Sequence, residues 1–473
     1  MTKRRDFIKQ SLLGTAGIAI GGMGFTSKSY NSIIGANERI NVAVAGIRSR
    51  GIVHIGAFCA LKDRKNVQIT TLCDTDEQFF DKKRIDLVTD AYGTAPKTAW
   101  DMRKVFEDKN IDAVSFATPS HWHALGSIWA AQAGKHVYVE KPCSHNIFEG
   151  RKMVEAARKY NVVMQVGFQN RSRKTMRDAV QLVLSGAIGN VYMARGLCLN
   201  RRNSFGIAED STPPKSLHYD EWLGPARWQN YNEKKVHYNW HWFWNTGLGD
   251  TGNQGPHQFD IARWGLNKNV HPVSVYSRGG IFGWSTKECA QETPDTQSTI
   301  LTYDDGKIIE FETRGQSSNG EGHSNIRVGN IFYGTEGQVE INGEEASPWN
   351  AYHKDEKIPF AGTGVKGYNE KEGDEGSLNN IIPTGRSGPV DSAVLAHFGN
   401  FLDAIRSGSS KTLNSDILDG HFSCTLVELA NTSFRLGREL KFIGSDEKFV
   451  NDPEANKMLT RDYRSPYVVP AVV

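Results

Sequence analysis

A carboxylate, an ammonium group and a ring-constrained backbone follow one another at Glu140, Lys141 and Pro142. They come directly after residues 137–139, a short apolar run that is typical of a buried β-strand. Doubly wound proteins bind their ligands at the carboxyl ends of such strands. We therefore expect Lys141 to donate a hydrogen bond to a reacting oxygen, although a solvated surface lysine is the simpler alternative.

A second run that can do chemistry lies at residues 249–260. Asn253 and His257 are four residues apart, so they share one face if a helix begins there. Histidine is the side chain best suited to exchange a proton near neutral pH, which makes His257 the candidate general base. Asn253 can bind a substrate hydroxyl beside it, and the alternative is that His257 is a buried structural histidine.

The candidate cofactor site follows an apolar, β-branched run at residues 40–45. Gly46 and Gly51 take the first and third positions of a G-x-G-x-x-G pattern, and a predicted helix at 52–61 comes next. A strand, a glycine turn and a helix in succession are typical of a dinucleotide site. Arg48 occupies the second glycine position, where we expect it to turn outward or to contact a phosphate.

Asp74 ends the next predicted strand, at residues 67–73, and lies 23 residues after Gly51. A carboxylate at this position accepts hydrogen bonds from ribose hydroxyls and repels a 2′-phosphate. The sequence therefore predicts NAD and makes NADP the less favoured cofactor. The alternative role for Asp74 is the N-cap of a helix predicted at 78–87.

Polar residues after the third predicted strand, at 111–117, are expected to contact the same cofactor. They are Thr118, Pro119 and His123, together with Glu140 and Lys141 at the next strand end. His121 and His123 form a histidine pair without a third ligand at a suitable spacing, and the same holds for His237 and His241. We therefore expect no metal centre.

Alternating strands and helices predict a doubly wound parallel sheet, a Rossmann domain, over residues 37–168. Residues 169–445 are expected to form an α+β domain with an open, mostly antiparallel sheet, and Asp305-Gly306 predicts a hairpin turn within it. Within this domain, residues 342–390 are a polar, glycine-rich insertion. Residues 446–473 form a C-terminal tail.

Three motifs resemble one known family, and the resemblance covers nearly the whole chain after residue 37. They are Ala117-Thr-Pro-x-x-x-His123, Ala133-Gly-Lys-His-Val137 and Glu140-Lys-Pro142. The family is that of glucose–fructose oxidoreductase, inositol dehydrogenase and the rhizopine catabolism protein. The resemblance implies that Lys141 lies beside the nicotinamide and hydrogen-bonds the reacting carbinol or carbonyl oxygen, with Glu140 as its supporting neighbour.

Members of this family commonly show Asp-x-Gly-x-His-x-x-Asp, with the histidine as general base. Gly255, His257 and Asp260 match this pattern, whereas Asn253 stands where the acid is expected. An amide binds a hydroxyl group but carries no charge to support an imidazolium. Asp250 could take over that role if the loop curls back toward the histidine.

An aromatic stretch at residues 238–244 is the candidate substrate surface. Flat rings such as those of Trp240 and Trp242 suit the apolar face of a sugar, and His241 between them can bind hydroxyl groups. Arg171 is a further candidate that the sequence alone does not place. The alternative is that these aromatic residues form the core of the second domain.

Together these sites, with the family resemblance, predict an oxidoreductase that transfers a hydride at a ring carbinol of a sugar or glycoside. The alternative is an NAD-dependent glycoside hydrolase that oxidises a carbon, eliminates the glycosidic bond, adds water and reduces again. The resemblance implies that such hydrolases lack the lysine of the Glu-Lys-Pro run, which favours the dehydrogenase. A binding protein with a degenerate site is a third hypothesis, which Lys141 and His257 oppose.

Related proteins associate through the open sheet, which implies a homodimer or homotetramer.

The net charge of +3 is concentrated at the N-terminus. Residues 1–36 hold five basic residues and one acidic residue, a net +4, which leaves −1 for the rest and no basic face for nucleic acid. Arg4 and Arg5, followed by a glycine-rich apolar run at 11–25, resemble a twin-arginine export signal. This run is shorter than the ~20 residues that cross a bilayer. We therefore expect a periplasmic protein without a stable membrane span, anchored only if the signal stays uncleaved.

The predicted export affects how tightly the cofactor must be bound. An enzyme outside the cytoplasm meets no pool of free nicotinamide nucleotide, so NAD is expected to be tightly bound. The six cysteines include no C-x-x-C pair, which indicates neither a disulfide framework nor a zinc knuckle.

Overall fold

The computed structural model describes residues 38–343, 349–353, 356–357 and 390–473. The predicted export signal at 1–36 lies outside these residues. Within the described chain, no helix is both long and apolar enough to cross a membrane.

The first sheet has six parallel strands in the order β3-β2-β1-β4-β5-β6, which confirms the predicted doubly wound sheet. Its strands are β1 (Ile40–Ala45), β2 (Val67–Cys73), β3 (Lys97–Ala99), β4 (Ala113–Phe116), β5 (His136–Val139) and β6 (Met164–Val166). The helices between and after them are α1 (Ser49–Leu61), α2 (Lys82–Tyr92), α3 (Met102–Glu107), α4 (His123–Gln132) and α5 (Ile147–Lys159). The central strands are apolar and buried because helices cover both faces of the sheet.

Helix α1 begins at Ser49, three residues before the predicted start at 52. The glycine turn is therefore shorter than expected, and it consists of residues 46–48. This brings the first amides of the helix close to the end of β1, which is the arrangement that binds phosphate groups in dinucleotide sites.

The second sheet has ten strands in the order β14-β13-β12-β11-β7-β10-β9-β8-β15-β16. Its strands are β7 (Val191–Cys198), β8 (Ser274–Gly280), β9 (Thr296–Thr302), β10 (Ile308–Arg314), β11 (Val328–Gly334), β12 (Gly337–Asn342), β13 (Trp349–His353), β14 (Glu356–Lys357), β15 (Leu440–Ile443) and β16 (Lys448–Phe449). Only β7 and β10 pair in parallel among these strands, so the open, mostly antiparallel sheet is confirmed. The helices of this part are α6 (Lys174–Leu184), α7 (Tyr219–Leu223), α8 (Gly249–Asn253), α9 (Gly255–Gly265), α10 (Ser392–Ser407), α11 (Ile417–Leu436) and α12 (Pro453–Lys457).

The predicted insertion at 342–390 contributes two strands, β13 and β14, to one edge of this sheet. Residues 344–348, 354–355 and 358–389 lie outside the described residues. The outer face of the sheet carries exposed apolar side chains, such as the cross-strand pair Tyr276 and Ile300. Assembly into a homodimer or homotetramer stays a prediction.

Two late segments of the chain pack against the first domain. In helix α10, Phe398 stacks on Tyr138 of β5 with 4.1 Å between the ring centroids and belongs to the same buried cluster as β1. Near the C-terminus, Tyr467 is buried edge-on against Trp122 at 5.5 Å. The first domain is therefore completed by residues that follow the second sheet in the chain.

Glu447 connects four parts of the structure. Its carboxylate accepts hydrogen bonds from Nε2 of His271 at 3.0 Å, from Nε2 of His421 at 2.5 Å and from Arg151 of helix α5 at 2.5 Å. These charged contacts hold the pKa of Glu447 well below its ordinary value, although burial opposes the shift. Sequence analysis did not find this cluster, because its members are far apart in the chain.

Candidate active site

A cavity of about 910 Å³ lies at the carboxyl ends of β1, β2, β4 and β5, and the second domain closes it through side chains of the segments 237–241 and 253–257. Most of the predicted site residues line this cavity. They are Gly46, Arg48, Asp74, Thr118, Pro119, His123, Glu140, Lys141, Trp240, His241, Asn253 and His257.

Three predicted site residues are not in the cavity wall: Gly51, Arg171 and Trp242. Arg171 donates two hydrogen bonds to the buried carboxylate of Asp260, at 2.7 and 2.9 Å. Trp242 is buried, and the guanidinium of Arg202 lies 5.4 Å from its ring centre. Arg171 and Trp242 thus contact other protein groups in the structure rather than the cavity.

Both matched positions of the glycine turn require glycine. Gly46 has a φ of 78°, and a Cβ there would lie 2.6 Å from the carbonyl carbon of Ala117 and from the amide nitrogen of Thr118. A Cβ on Gly51 would lie 1.9 Å from the carbonyl oxygen of Gly46. Glycine at position 46 therefore lets the turn pack against the backbone that follows β4, and glycine at position 51 lets helix α1 pack against the turn.

Asp74 lies directly beneath the glycine turn. Its carboxylate accepts hydrogen bonds from the amides of Ile47 at 2.9 Å and Asp76 at 3.0 Å. Burial raises the pKa of Asp74 to about 6, although both amides act in the opposite direction. The alternative role as a helix N-cap is wrong, because Asp81 caps the next helix, α2.

Two cations line the same end of the cavity, Arg48 and Arg84. The Arg48 guanidinium lies 5.8 Å from the ring centre of Phe79, and Arg84 donates through Nε to the carbonyl of Ile47 at 2.8 Å. Burial and the charge of Arg84 lower the pKa of Arg48. Guanidinium groups bind phosphates well, which fits the predicted phosphate contact of Arg48.

The opposite wall follows strand β4 and includes Thr118 and Pro119. His123 joins the ends of β4 and β5, with Nδ1 2.7 Å from the carbonyl of Pro142 and Nε2 2.8 Å from that of Thr118. The Thr118 hydroxyl is buried without a hydrogen-bond partner among the described residues. A ligand in the cavity can supply this partner, so Thr118 fits a cofactor contact.

The carboxylate of Glu140 is buried behind the end of β5. It accepts hydrogen bonds from Arg50 at 2.9 Å, His54 at 3.1 Å and Gln169 at 2.9 Å. Burial opposes its ionisation, but Arg50, His54 and Lys141 together hold the pKa of Glu140 well below its ordinary value. Sequence analysis missed Arg50, His54 and Gln169 as members of this site. Only the place of Arg50 within the glycine pattern could have signalled one of them.

Lys141 connects the two domains. Its Nζ donates a hydrogen bond to the carbonyl oxygen of Asn253, at the end of helix α8, over 2.5 Å. The Lys141–Pro142 peptide bond is cis. Burial lowers the pKa of Lys141, while the neighbouring Glu140 opposes this shift. The side chain therefore lies in the cavity wall, and it is not a solvated surface lysine.

Asn253 and His257 do not share one helix, because α8 ends at Asn253 and α9 begins at Gly255. Both side chains nevertheless line the cavity. The Nδ1 atom of His257 is buried and has no hydrogen-bond partner within the described part of the chain. Burial and the charge of Lys141 lower the pKa of His257 to about 3, so its imidazole is neutral at neutral pH.

Asp250 does not bond to His257. Its carboxylate accepts two hydrogen bonds from Arg202, at 2.8 and 2.7 Å, and one from the Asn253 amide at 3.3 Å. This arrangement fixes the orientation of the Asn253 side chain. The acid three residues before Asn253 thus positions the amide instead of supporting the imidazole.

The aromatic stretch contributes a stacked pair to the cavity. The ring of His241 lies parallel to that of Trp240, with 3.6 Å between the centroids, and its Nδ1 is 2.6 Å from the carbonyl oxygen of Tyr238. Because a carbonyl only accepts, Nδ1 carries the proton and Nε2 of the neutral ring is unprotonated. Burial lowers the pKa of His241 to about 3. Tyr238, the first residue of the predicted aromatic surface, also lines the cavity, as does His237, which the sequence did not indicate as a ligand contact.

A short segment of the second domain, residues 216–218, pairs with the loop that follows β2. The amide of His218 donates to the carbonyl of Thr75, and the amide of Glu77 donates to that of Ser216, each at 2.9 Å. This pairing covers the loop next to Asp74. It involves backbone atoms, and sequence analysis had no signal for it.

The groups present fit a bound dinucleotide. Gly46 lines the cavity, and a carboxylate and two guanidinium groups lie around it. At the other end, Lys141 lines the cavity together with His257, a side chain able to exchange a proton. Such a site has the fixed polar contacts that a nucleotide requires.

Two family models match the chain. One describes the NAD-binding Rossmann fold of an oxidoreductase family and matches residues 40–168. The other describes the C-terminal alpha/beta domain of the same family and matches residues 215–442. NAD is therefore the cofactor to which the first domain corresponds.

Known relatives are distant in sequence. Levoglucosan dehydrogenase of Pseudarthrobacter phenanthrenivorans is 26% identical over 259 residues, 52% of this chain and 58% of that protein. A glycosyl hydrolase family 109 protein of Shewanella pealeana is 28% identical over 170 residues, 33% of this chain and 36% of that protein. The chain thus spans a little over half of the first relative and about a third of the second.

The fold is shared over a larger part of the chain. The solved structure of levoglucosan dehydrogenase in complex with NADH and levoglucosan aligns with a TM-score of 0.60 at 19% identity. The alignment covers 85% of this chain and 99% of that one. The two-domain architecture is therefore common to both proteins.

Proposed function

The chain belongs to the oxidoreductase family of glucose–fructose oxidoreductase and inositol dehydrogenase, and we propose that it transfers a hydride between NAD and a ring carbon of a sugar or glycoside, oxidising a carbinol or reducing the corresponding ketone. One observation carries this proposal. Lys141 from the first domain and His257 from the second line the same cavity, and Lys141 bonds to the backbone four residues before His257.

The two side chains supply complementary chemistry at one oxygen. Lys141 donates a hydrogen bond to the carbinol oxygen and stabilises the negative charge that develops there. His257 is neutral and accepts the hydroxyl proton. NAD, when bound, supplies the hydride acceptor. Asn253, held by Asp250, accepts or donates a hydrogen bond to a neighbouring hydroxyl and so orients the ring.

Tight retention of the nucleotide is part of the proposal. The pairing of residues 216–218 holds the loop after β2, whose residues Thr75 and Asp76 line the cavity. The twin-arginine pattern at Arg4 and Arg5 supports export to the periplasm, where a retained cofactor is needed. A second sugar or a redox partner then resets the cofactor after each oxidation.

A second candidate function is hydrolysis of glycosides through transient oxidation. The similarity to a glycosyl hydrolase family 109 protein supports it, as does the amide at Asn253 in place of the usual acid. In that reaction the same oxidation is followed by loss of the glycosidic substituent, addition of water and reduction.

One set of assays distinguishes these functions. The purified protein is incubated with aryl α- and β-glucosides and with free sugars, while released phenol, keto-sugar and nicotinamide absorbance are measured. Keto-sugar that accumulates with an acceptor supports the dehydrogenase, and phenol release without net cofactor reduction supports the hydrolase. If no sugar changes the absorbance and denatured protein releases no nucleotide, both functions are wrong.

A further inference from the structure

The proposed oxidation uses Lys141 and His257 at one oxygen atom, yet the cavity contains further imidazole rings. Both ring nitrogens of His123 lie against carbonyl groups. His237 lies at the nucleotide end, with Nε2 3.7 Å from the carboxylate of Asp76. His241 is therefore the remaining cavity histidine without a role in the hydride step.

The ring of His241 is fixed in one tautomer and one orientation. Its Nδ1–H donates to the Tyr238 carbonyl over 2.6 Å, and its face stacks on Trp240. The structure shows no hydrogen bond from its Nε2 to any described residue, and the side chain lines the cavity. An unprotonated nitrogen of this kind, held in a cavity wall, can act only as an acceptor for the ligand.

Lys141, His241 and His257 line the same cavity, where burial and the charge of Lys141 lower the pKa of both imidazoles. The cavity that contains the Lys141 ammonium group therefore has one neutral proton acceptor from segment 237–241 and one from segment 253–257. One acceptor is enough for the removal of a hydroxyl proton, so the second is available for a different proton.

We propose that Nε2 of His241 takes the proton from the ring carbon next to the carbonyl that the proposed oxidation creates, so this inference rests on the proposed function. The C–H bond breaks, and an N–H bond forms on His241. The electron pair becomes the carbon–carbon double bond of an enolate, whose oxygen carries the negative charge beside Lys141. Return of a proton to the same carbon restores the keto sugar.

The same step explains how one site can serve two reactions. In a glycoside, the glycosidic oxygen can be attached to the carbon next to the one that loses its proton. The electron pair of the broken C–H bond can then expel this oxygen, which takes up a proton. An imidazole of low basicity needs a stabilised product for this transfer. The ammonium of Lys141 provides that stabilisation in a cavity partly screened from water.

The test measures carbon-bound hydrogen exchange separately from oxidation. The NAD-loaded protein is incubated with methyl α- or β-glucopyranoside in heavy water, and the recovered glycoside is examined by NMR. Enolisation places deuterium on the carbon beside the oxidised one, whereas oxidation and reduction alone place none there. Keto-sugar formation is measured in parallel with an added electron acceptor.

The decisive variant is His241→Asn, whose amide can still donate to the Tyr238 carbonyl but lacks Nε2. We expect the ratio of deuterium exchange to oxidation to fall by about 100-fold or more, while oxidation itself falls less. His353→Asn, on the edge strand β13, is the control and should change neither rate. Retained bound nucleotide and an unchanged circular dichroism spectrum show that each variant is folded.

Three results would overturn the inference: wild-type protein that oxidises the glycoside without deuterium uptake, an unchanged exchange-to-oxidation ratio in His241→Asn, or a ratio that falls equally in the control. If wild-type protein oxidises neither glycoside, the proposed function fails for these sugars, and the keto-glycoside is supplied directly. Deuterium uptake into it by wild type but not by His241→Asn still supports the inference, and absence of uptake by wild type overturns it.

Discussion

The two ends of the cavity differ in how completely their polar groups are satisfied by the protein. At the nucleotide end, both oxygens of Asp74 accept backbone amides, and Arg84 bonds to the carbonyl of Ile47. At the catalytic end, Nδ1 of His257 is buried without a hydrogen-bond partner among the described residues. Buried polar groups without partners cost free energy, so the catalytic end is completed by its ligands, whereas the nucleotide end is preformed.

Because the two ends of the cavity differ in this way, a substitution at the catalytic end should abolish turnover without affecting nucleotide binding. Lys141→Met should lower kcat by about 10³-fold, because the developing charge on the oxygen loses its hydrogen-bond donor. Nucleotide released on denaturation should stay at the wild-type amount. Keto-sugar formation and released nucleotide are measured on the same preparation.

The control for this change is Lys97→Met, at an exposed lysine of β3 in the same domain, which should leave both values unchanged. His257→Asn should behave as Lys141→Met does, with a loss of about 10²- to 10³-fold. Turnover within tenfold of wild type in Lys141→Met would remove this lysine from the chemistry.

A substitution at the nucleotide end should have the opposite pattern. Gly46→Ala places a Cβ 2.6 Å from the backbone of Ala117, so we expect nucleotide content to fall at least tenfold, with activity falling in proportion. Gly93→Ala is a matched control, because Gly93 also has a positive φ, 72°, but no atom within 4 Å of the added Cβ. It should lose about 1 kcal/mol of unfolding free energy and keep its nucleotide.

Asp250→Asn tests how the catalytic end orients its substrate, because Asp250 holds the side chain of Asn253. The change removes the charge that pairs with Arg202 and replaces one of the two acceptor oxygens shared by Arg202 and Asn253 with an NH2 group. We expect KM to rise about tenfold with a smaller fall in kcat, because the loss concerns substrate orientation. Glu312→Gln, which disrupts an ion pair with Arg195 on the second sheet, should change neither constant. A large fall in kcat at unchanged KM would contradict this positioning role.

The smallest expected effect is the pH dependence of nucleotide retention. Asp74 has a pKa of about 6 in the folded protein, above its ordinary 3.8, so it loses its charge as the pH falls below 6. A protonated carboxyl is a poorer acceptor for ribose hydroxyls, and we expect nucleotide release to become several-fold faster between pH 7.5 and pH 5. Fluorescence of the released nucleotide measures this rate, and Asp74→Asn should abolish the pH dependence.

The same group affects the nucleotide-free protein in the other direction. Because the folded pKa exceeds the unfolded one, folding takes up a proton between pH 3.8 and 6. The contribution of Asp74 to the free energy of unfolding therefore falls as the pH rises through this window. Comparison with Asp74→Asn isolates this contribution.

Much of the fold could be predicted from local patterns. Apolar runs at residues 40–45, 67–73, 111–117 and 137–139 located strands β1, β2, β4 and β5, and the alternation of strands with helices indicated that their sheet is parallel. Lys141 and His257 were identified from short motifs, and both line the cavity. These features depend on residues that are close together in the chain.

Features that depend on long-range pairing could not be predicted. Arg171 resembled a substrate contact, but its guanidinium pairs with Asp260, 89 residues away. Asp250 resembled a substitute acid, and only the position of Arg202 shows that it orients an amide instead. A sequence shows which residue types are present and how they are spaced. Tertiary packing determines which partners these residues contact.

The pairing of residues 216–218 with the loop after β2 bears on the route by which nucleotide leaves. The amides of Glu77 and His218 are both donors in this pairing, so they exchange with solvent only while it is open. If the opening also frees the nucleotide, the two amides and the nucleotide share one rate-limiting event. Urea at concentrations well below global unfolding would then accelerate amide exchange and cofactor loss by the same factor.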